Sequence, residues 1–156
     1  EVAKEIVVLA DIQENDTVLE PSAWEWDIAL EILRKNKLTL VELDKAKYDI
    51  LKEKSEFQYD EIINQDFIKH KWQYDKIVMN PPFSKSQDVK HILKAYKENL
   101  KEWWRLVAIA SSSINFREGK FYDELRGLNP EIIKLPEWSF KESWTMVNTI
   151  ILVLNK

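Results

Sequence analysis

The sequence is short of several things, and each shortage excludes something. It contains no cysteine among 156 residues, so disulfides and thiolate metal sites are excluded. Its two histidines, His70 and His91, lie 21 positions apart and match no zinc-ligand spacing, so no metal site is expected. No run approaches the ~18 apolar residues of a membrane span, and no membrane partner is expected. No signal-peptide pattern opens the chain, so an intracellular, cytoplasmic setting is expected. Excess positive charge is also missing. The net charge is -4 and the pI about 5.4, which argues mildly against this segment alone gripping a long duplex through clustered Lys and Arg. Glycine is the oddest shortage. There are 2, where average usage of about 7% predicts roughly 11. Tryptophan, at 7, is in excess.

What remains is a globular composition, 45% hydrophobic and 32% charged, in a length that fits one domain with a real core, here residues 1–156. Apolar runs and helical periods alternate along nearly the whole chain. Helical patterns cover Val2 to Ala10, Trp26 to Lys37, Lys45 to Lys54, Ser86 to Leu100 and Phe121 to Leu128. Strand patterns cover Thr17 to Glu20, Leu38 to Leu43, Tyr59 to Ile63, Lys76 to Met79, Arg105 to Ala110, Glu131 to Leu135 and Asn148 to Leu154. The central strands are short continuous apolar runs, as expected when both faces are buried. The alternation predicts an α/β fold: a mostly parallel sheet in three layers with helices on both faces. Between the last two strands no long helix is expected, so a terminal antiparallel hairpin is predicted. There is no internal repeat or linker.

In open α/β sheets, ligands bind beyond the carboxyl ends of the strands, near the switch in strand order. Four strand ends carry polar or special residues: LEPSA (Leu19 to Ala23), VELD (Val41 to Asp44), NQDF (Asn64 to Phe67) and NPPF (Asn80 to Phe83). A carboxylate at one strand end is ordinarily a turn or helix cap. Four such ends in order on one rim are harder to dismiss. Glu42 lies 22 residues after Glu20, at the tip of the next strand, where nucleotide-binding folds carry a ribose-hydroxyl ligand. NPPF has a chemistry of its own. An Asn amide oxygen and a proline carbonyl can accept both N–H bonds of a planar amine, and proline fixes the backbone that aims them. An adjacent aromatic ring can stack on the planar group. The plain alternative is a rigid Asn-Pro turn.

In that order and spacing, LEPSA, VELD, QDF and NPPF resemble the S-adenosylmethionine-dependent amino-methyltransferases, and within them the adenine-N6 DNA methyltransferases, including the modification subunits of restriction systems. The resemblance covers nearly the whole chain as a catalytic domain. It implies a Rossmann-like methyltransferase fold with a seven-stranded sheet whose last strand is reversed, and S-adenosyl-L-methionine as cofactor. It implies that Glu20, Pro21, Ser22 and Ala23 border the methionine part, that Glu42 with Leu43 beside it meets the ribose, and that Asp66 and Phe67 lie at the adenine ring. Asn80 and the carbonyl of Pro81, stiffened by Pro82, are implied as the clamp for the target amine, with Phe83 stacked on the target base. DNA is the implied partner, engaged through a separate recognition domain or subunit. An RNA adenine or a protein glutamine amide is the alternative substrate.

One departure stands out. The family follows EPSA with glycines, whereas this chain reads EPSAWEW, with Trp24 and Trp26 in their place. Such glycines permit tight turns and close approach of a ligand; an indole permits neither. The exchange recurs at Trp103-Trp104, in the turn expected before the fifth strand, and at Trp138 and Trp144 in loops, and Trp72 also falls in a loop. A methyltransferase-like domain unable to bind cofactor is therefore the competing expectation.

Overall fold

A computed structural model describes residues 2–23, 27–32, 36–53, 59–135 and 148–156. Seven strands form one sheet in the order β3-β2-β1-β4-β5-β7-β6. They are β1 Thr17–Pro21, β2 Lys37–Glu42, β3 Glu61–Asn64, β4 Tyr74–Met79, β5 Leu100–Ser111, β6 Glu131–Lys134 and β7 Thr149–Asn155. The helices are α1 Val2–Ala10, α2 Asp27–Glu31, α3 Lys45–Glu53, α4 Gln87–Lys94 and α5 Lys120–Gly127. Pairing is parallel through β5 and antiparallel where β7 inserts between β5 and β6. The expected α/β layering and the reversed last strand are both present.

The strands are apolar on successive residues because each face packs against helices. Val18, Leu40, Val78, Ile151 and Val153 join Ile6, Ala10, Ile28 and Leu51 in one core. Their neighbours Leu19, Val41, Ile77, Met79, Ile150 and Leu152 join Val89, Ile92, Leu93 and Leu125 in the other. Helices α1–α3 thus cover one face and α4 and α5 the other, and the period-2 side-chain alternation of the strands feeds both cores.

Several predicted boundaries need correction. The helix drawn from Trp26 to Lys37 ends at Glu31 among the described residues, and Lys37 already begins β2. The third strand begins at Glu61 rather than Tyr59. The helix drawn to Leu100 gives way after Lys94 to a π turn, Ala95–Asn99, and Leu100 opens β5, paired with Tyr74. Its apolar side chain fits the helical period equally well; the sheet claims it.

Strand β5 is longer than predicted because it contains a bulge. One residue, Asp75, separates Tyr74 from Lys76, whereas their partners Leu100 and Arg105 are five positions apart. The tryptophan pair expected in a turn before this strand therefore lies inside it. Trp103 takes the left-handed conformation at φ +72 with its side chain 93% exposed. Its N–H donates to the Lys156 carbonyl at 2.6 Å, and the Lys156 N–H donates to the Trp104 carbonyl at 3.0 Å. Trp104 is half-buried against the core, with the Lys76 ammonium 5.4 Å from its ring centroid. Trp24, Trp26, Trp138 and Trp144 lie outside the described residues.

Candidate functional site

The strand order reverses at β1. Strands β2 and β3 lie to one side of it and β4 to the other, so the crevice expected of such sheets opens between the carboxyl ends of β1 and β4. Pairing of β1 with β2 continues to Pro21↔Val41, but pairing with β4 stops at Leu19↔Ile77. Glu42 in turn pairs with Asn64 of β3. Ser22 and Asn80 are the first residues past the ends of β1 and β4, so with Glu42 and Asn64 four strand ends meet on one rim.

The β1 end is buried and sharply bent. Glu20 is 2% exposed, and Pro21 and Ala23 are also buried. Ser22 is left-handed at φ +67, and its N–H donates to the Val41 carbonyl at 2.8 Å. Glu42 is 5% exposed. Its Oε1 accepts the Asp44 N–H at 2.7 Å, which fixes the carboxylate to its own turn. The Asn64 amide donates to the carbonyls of Glu42 and Leu43 at 2.9 and 3.0 Å, tying the β2 end to the β3 end. Leu43 is 67% exposed. Asp44 caps α3, accepting from the N–H groups of Ala46 and Lys47.

Asp66 caps a short 3-10 turn, Phe67–Lys69, through the Ile68 N–H at 3.0 Å. Phe67 is only 3% exposed. Its ring meets the His91 ring edge-on at 5.5 Å between centroids, and the Lys94 ammonium lies 4.6 Å from its centroid. Lys94 is buried. It donates to the His70 carbonyl and to Asn99 Oδ1 at 2.6 Å. Burial pushes its pKa down, and Glu98 opposes that shift.

In NPPF, Asn80 is half-buried, Pro81 buried, Pro82 exposed and Phe83 half-buried against the α1-side core. The next turn, Ser84–Ser86, carries two consecutive left-handed residues, Lys85 at φ +53 and Ser86 at φ +59, before α4 begins.

Polar residues that no sequence motif announced surround the turn after NPPF. Asp88, 2% exposed, accepts the Ser111 N–H at 3.1 Å; burial raises its pKa against the pull of these donors and of Arg117. The Tyr122 hydroxyl lies 2.6 Å from Ser86 Oγ and accepts from Arg117 Nη1 at 3.2 Å. These partners are up to 36 positions apart, and no local pattern announces them.

A buried carboxylate at a strand end suits a ligand that carries hydroxyl groups. Glu42 is a buried carboxylate with one oxygen committed to its own turn, which leaves the other for vicinal hydroxyls. Ser22, left-handed at φ +67, ends β1 in a sharp bend. Among the described residues no group of three or more His, Asp or Glu could hold a metal ion, and no helix is long and apolar enough to cross a membrane.

Comparison with known proteins fits this geometry. No protein-family model matches the sequence. Over 98 residues the chain is 33% identical to a probable ribosomal RNA small subunit methyltransferase A of Methanosarcina acetivorans, covering 61% of this chain and 36% of that protein. The methyltransferase subunit of a type I restriction-modification system from Streptococcus thermophilus superposes with a TM-score of 0.77 at 19% identity, covering 99% of this chain and 43% of that one. A dimethyladenosine transferase from Plasmodium falciparum superposes with a TM-score of 0.72 at 17% identity, covering 99% and 60%. The chain therefore has the Rossmann-like methyltransferase fold. It spans about a third of the curated relative it matches and less than half of the restriction-system subunit.

Proposed function

We propose that the chain is the catalytic core of an S-adenosylmethionine-dependent methyltransferase that methylates the exocyclic N6 of adenine in DNA. One observation carries the reading: Ser22, Glu42 and Asn80 stand at the ends of three adjacent strands, β1, β2 and β4, beside the switch in strand order, and Asn80 opens NPPF.

In this reading Glu42 binds the ribose hydroxyls, with Leu43 beside it. Glu20, Pro21, Ser22 and Ala23 border the methionine end. Asp66 and Phe67 take the adenine end, where Lys94 braces the Phe67 ring. When bound, S-adenosylmethionine supplies a methyl group made electrophilic by its sulfonium sulfur. The amide oxygen of Asn80 and the carbonyl of Pro81 accept the two N–H bonds of the target amine. That contact orients the nitrogen lone pair and stabilises the positive charge that develops on nitrogen as it attacks the methyl carbon; the carbon–sulfur bond would break to release the neutral thioether S-adenosylhomocysteine, and the methylated nitrogen would give up one of its protons to solvent. Pro82, which follows the Pro81 carbonyl, stiffens the backbone that aims it, and Phe83 stacks on the base. No covalent enzyme intermediate is required. An adenine in duplex DNA must be flipped out of the stack to reach this clamp, and a separate recognition domain or subunit supplies the grip that an acidic core lacks. An RNA adenine is the second reading, favoured by the 33% identical relative whose name specifies ribosomal RNA.

The test uses the purified chain, calorimetric titration with S-adenosylmethionine, and transfer of tritium-labelled methyl to adenine-containing DNA and RNA. Saturable cofactor binding and recovery of label as N6-methyladenine from DNA are expected. Asn80→Ala lowers transfer by about a hundredfold or more, the scale of losing a transition-state hydrogen-bonding group, and leaves cofactor binding intact. If label enters RNA alone, the second reading replaces the first. If the chain neither binds nor transfers, but Trp24→Gly with Trp26→Gly restores both, the tryptophans block a competent fold. Failure of that variant too refutes the reading.

A further inference from the structure

The turn after Phe83 runs against backbone preference. Lys85 and Ser86 occupy the left-handed region in succession, at φ +53 and +59, and neither is glycine. Side chains in that region crowd the following carbonyl, so such a pair persists only where its surroundings hold it. The surroundings here are specific. Ser86 Oγ and the Tyr122 hydroxyl are 2.6 Å apart, one donating to the other. The same phenol oxygen accepts from Arg117 Nη1 at 3.2 Å. Tyr122 itself is 8% exposed and belongs to the α4–α5 core, so it is a fixed post rather than a surface side chain. Two residues beyond Ser86, Asp88 Oδ2 accepts the Ser111 N–H at 3.1 Å, pinning the first turn of α4 to the end of β5. The segment that follows NPPF is therefore tied to α5 by one polar contact and to β5 by another. Neither contact uses a group assigned to the cofactor or to the target amine.

We propose that Tyr122 is a positioning residue: its hydroxyl, steadied by Arg117, holds the left-handed Lys85–Ser86 turn and through it sets the NPPF clamp for the target amine. The inference rests on reading NPPF as that clamp. Without the hydroxyl, the turn relaxes toward right-handed backbone and NPPF loses its downstream anchor, while the cofactor half of the crevice, built on β1 and β2, is untouched.

The test compares the full chain with Tyr122→Phe, which keeps the ring and removes the oxygen, and with Ser86→Ala, which removes the partner. Hydrogen exchange of the segment 82–90 is read by mass spectrometry, together with methyl-transfer kinetics and calorimetric cofactor affinity. Both variants are expected to exchange this segment about tenfold faster and to lose about tenfold in kcat, with cofactor Kd within about twofold, and the double variant falls no further than either single one because the two side chains form one contact. Unchanged exchange and kcat in Tyr122→Phe overturns the proposal. Additive losses in the double variant also overturn it, as does a loss of cofactor affinity equal to the loss of kcat, which marks a general structural role. If neither the wild-type chain nor its Trp24→Gly, Trp26→Gly variant transfers a methyl group to any nucleic acid, the clamp reading of Asn80 fails, and the exchange data still decide whether Tyr122 holds the turn.

Discussion

Replacing Trp103 by glycine should stabilise this protein, although most substitutions destabilise. The reason is local. Trp103 sits at φ +72 in the β5 bulge and is 93% exposed, so its indole contributes almost no burial to set against the conformational strain. A side-chain-bearing residue pays about 1–2 kcal/mol for the left-handed region. Glycine removes that strain but loses roughly 0.5–1 kcal/mol through the greater freedom of its unfolded chain. The difference is about 0.5–1 kcal/mol in favour of Trp103→Gly, which for a chain of this size is a rise in Tm of about 1–4 °C. The backbone contacts at the bulge, Trp103 N–H to Lys156 and Lys156 N–H to Trp104, do not depend on the side chain and remain. Urea unfolding at constant m-value measures the gain. Trp103→Ala is the control: it also discards the indole but keeps the Cβ that causes the strain. A gain of equal size in Trp103→Ala would mean that loss of the exposed indole, not relief of backbone strain, is responsible. A loss of stability in Trp103→Gly would refute the bulge geometry itself.

Three further outcomes are expected. Glu42→Gln, which trades a charged acceptor for a neutral one of the same shape, should weaken S-adenosylmethionine binding by about tenfold in calorimetry with little change in Tm. Asp75→Ala removes the acceptor of the Thr17 N–H, the Thr17 hydroxyl and the Lys101 ammonium and should cost about 1–3 kcal/mol in denaturant unfolding, without altering cofactor affinity, because this clasp lies at the opposite end of β1 and β4. Acidification should destabilise the chain from about pH 6.5 downward. Burial holds the pKa of both His70 and His91 below 6.5, with Lys94 adding to the effect in each and Asp66 and Asp88 opposing it at His91. The unfolded state then binds protons that the folded state refuses, so stability is full above 6.5 and is lost as pH falls through the folded values. Urea midpoints at pH 7.5 and 5.5 check the sign, and His91→Gln should flatten the slope.

The strand-and-helix alternation was legible because burial on both faces leaves a local mark: β7 is TIILVLN, and no helical period competes with it. The four strand-end motifs were legible for the complementary reason. Polar residues at the ends of apolar runs have little packing role, and the fold gathers such ends on one rim whatever the loops between them do. What escaped reading depends on partners distant in sequence. Leu100 satisfies the helical period after Lys94, and only Tyr74 across the ladder makes it a strand residue. Trp103 and Trp104 precede an apolar run and look like its entry turn, but the extra residues opposite Asp75, met from the far side by Lys156, turn them into a bulge within the strand. Ser86 is a serine in a polar turn until Tyr122, 36 residues later, is packed beside it.

The division has a consequence for the site. The half read here as the cofactor's rests on residues whose contacts are short in sequence or run along parallel neighbours: Glu42 with Asp44, Asn64 with Glu42 and Leu43, Ser22 with Val41. The half that would hold the target amine is followed directly by backbone in an unfavoured conformation, secured by α5 and by the end of β5. Damage to α5 should therefore spare the first half and disturb the second. A chain able to bind its cofactor and unable to use it is the expected result of weakening that contact, and such a phenotype would trace to a residue in no motif that the strand ends display.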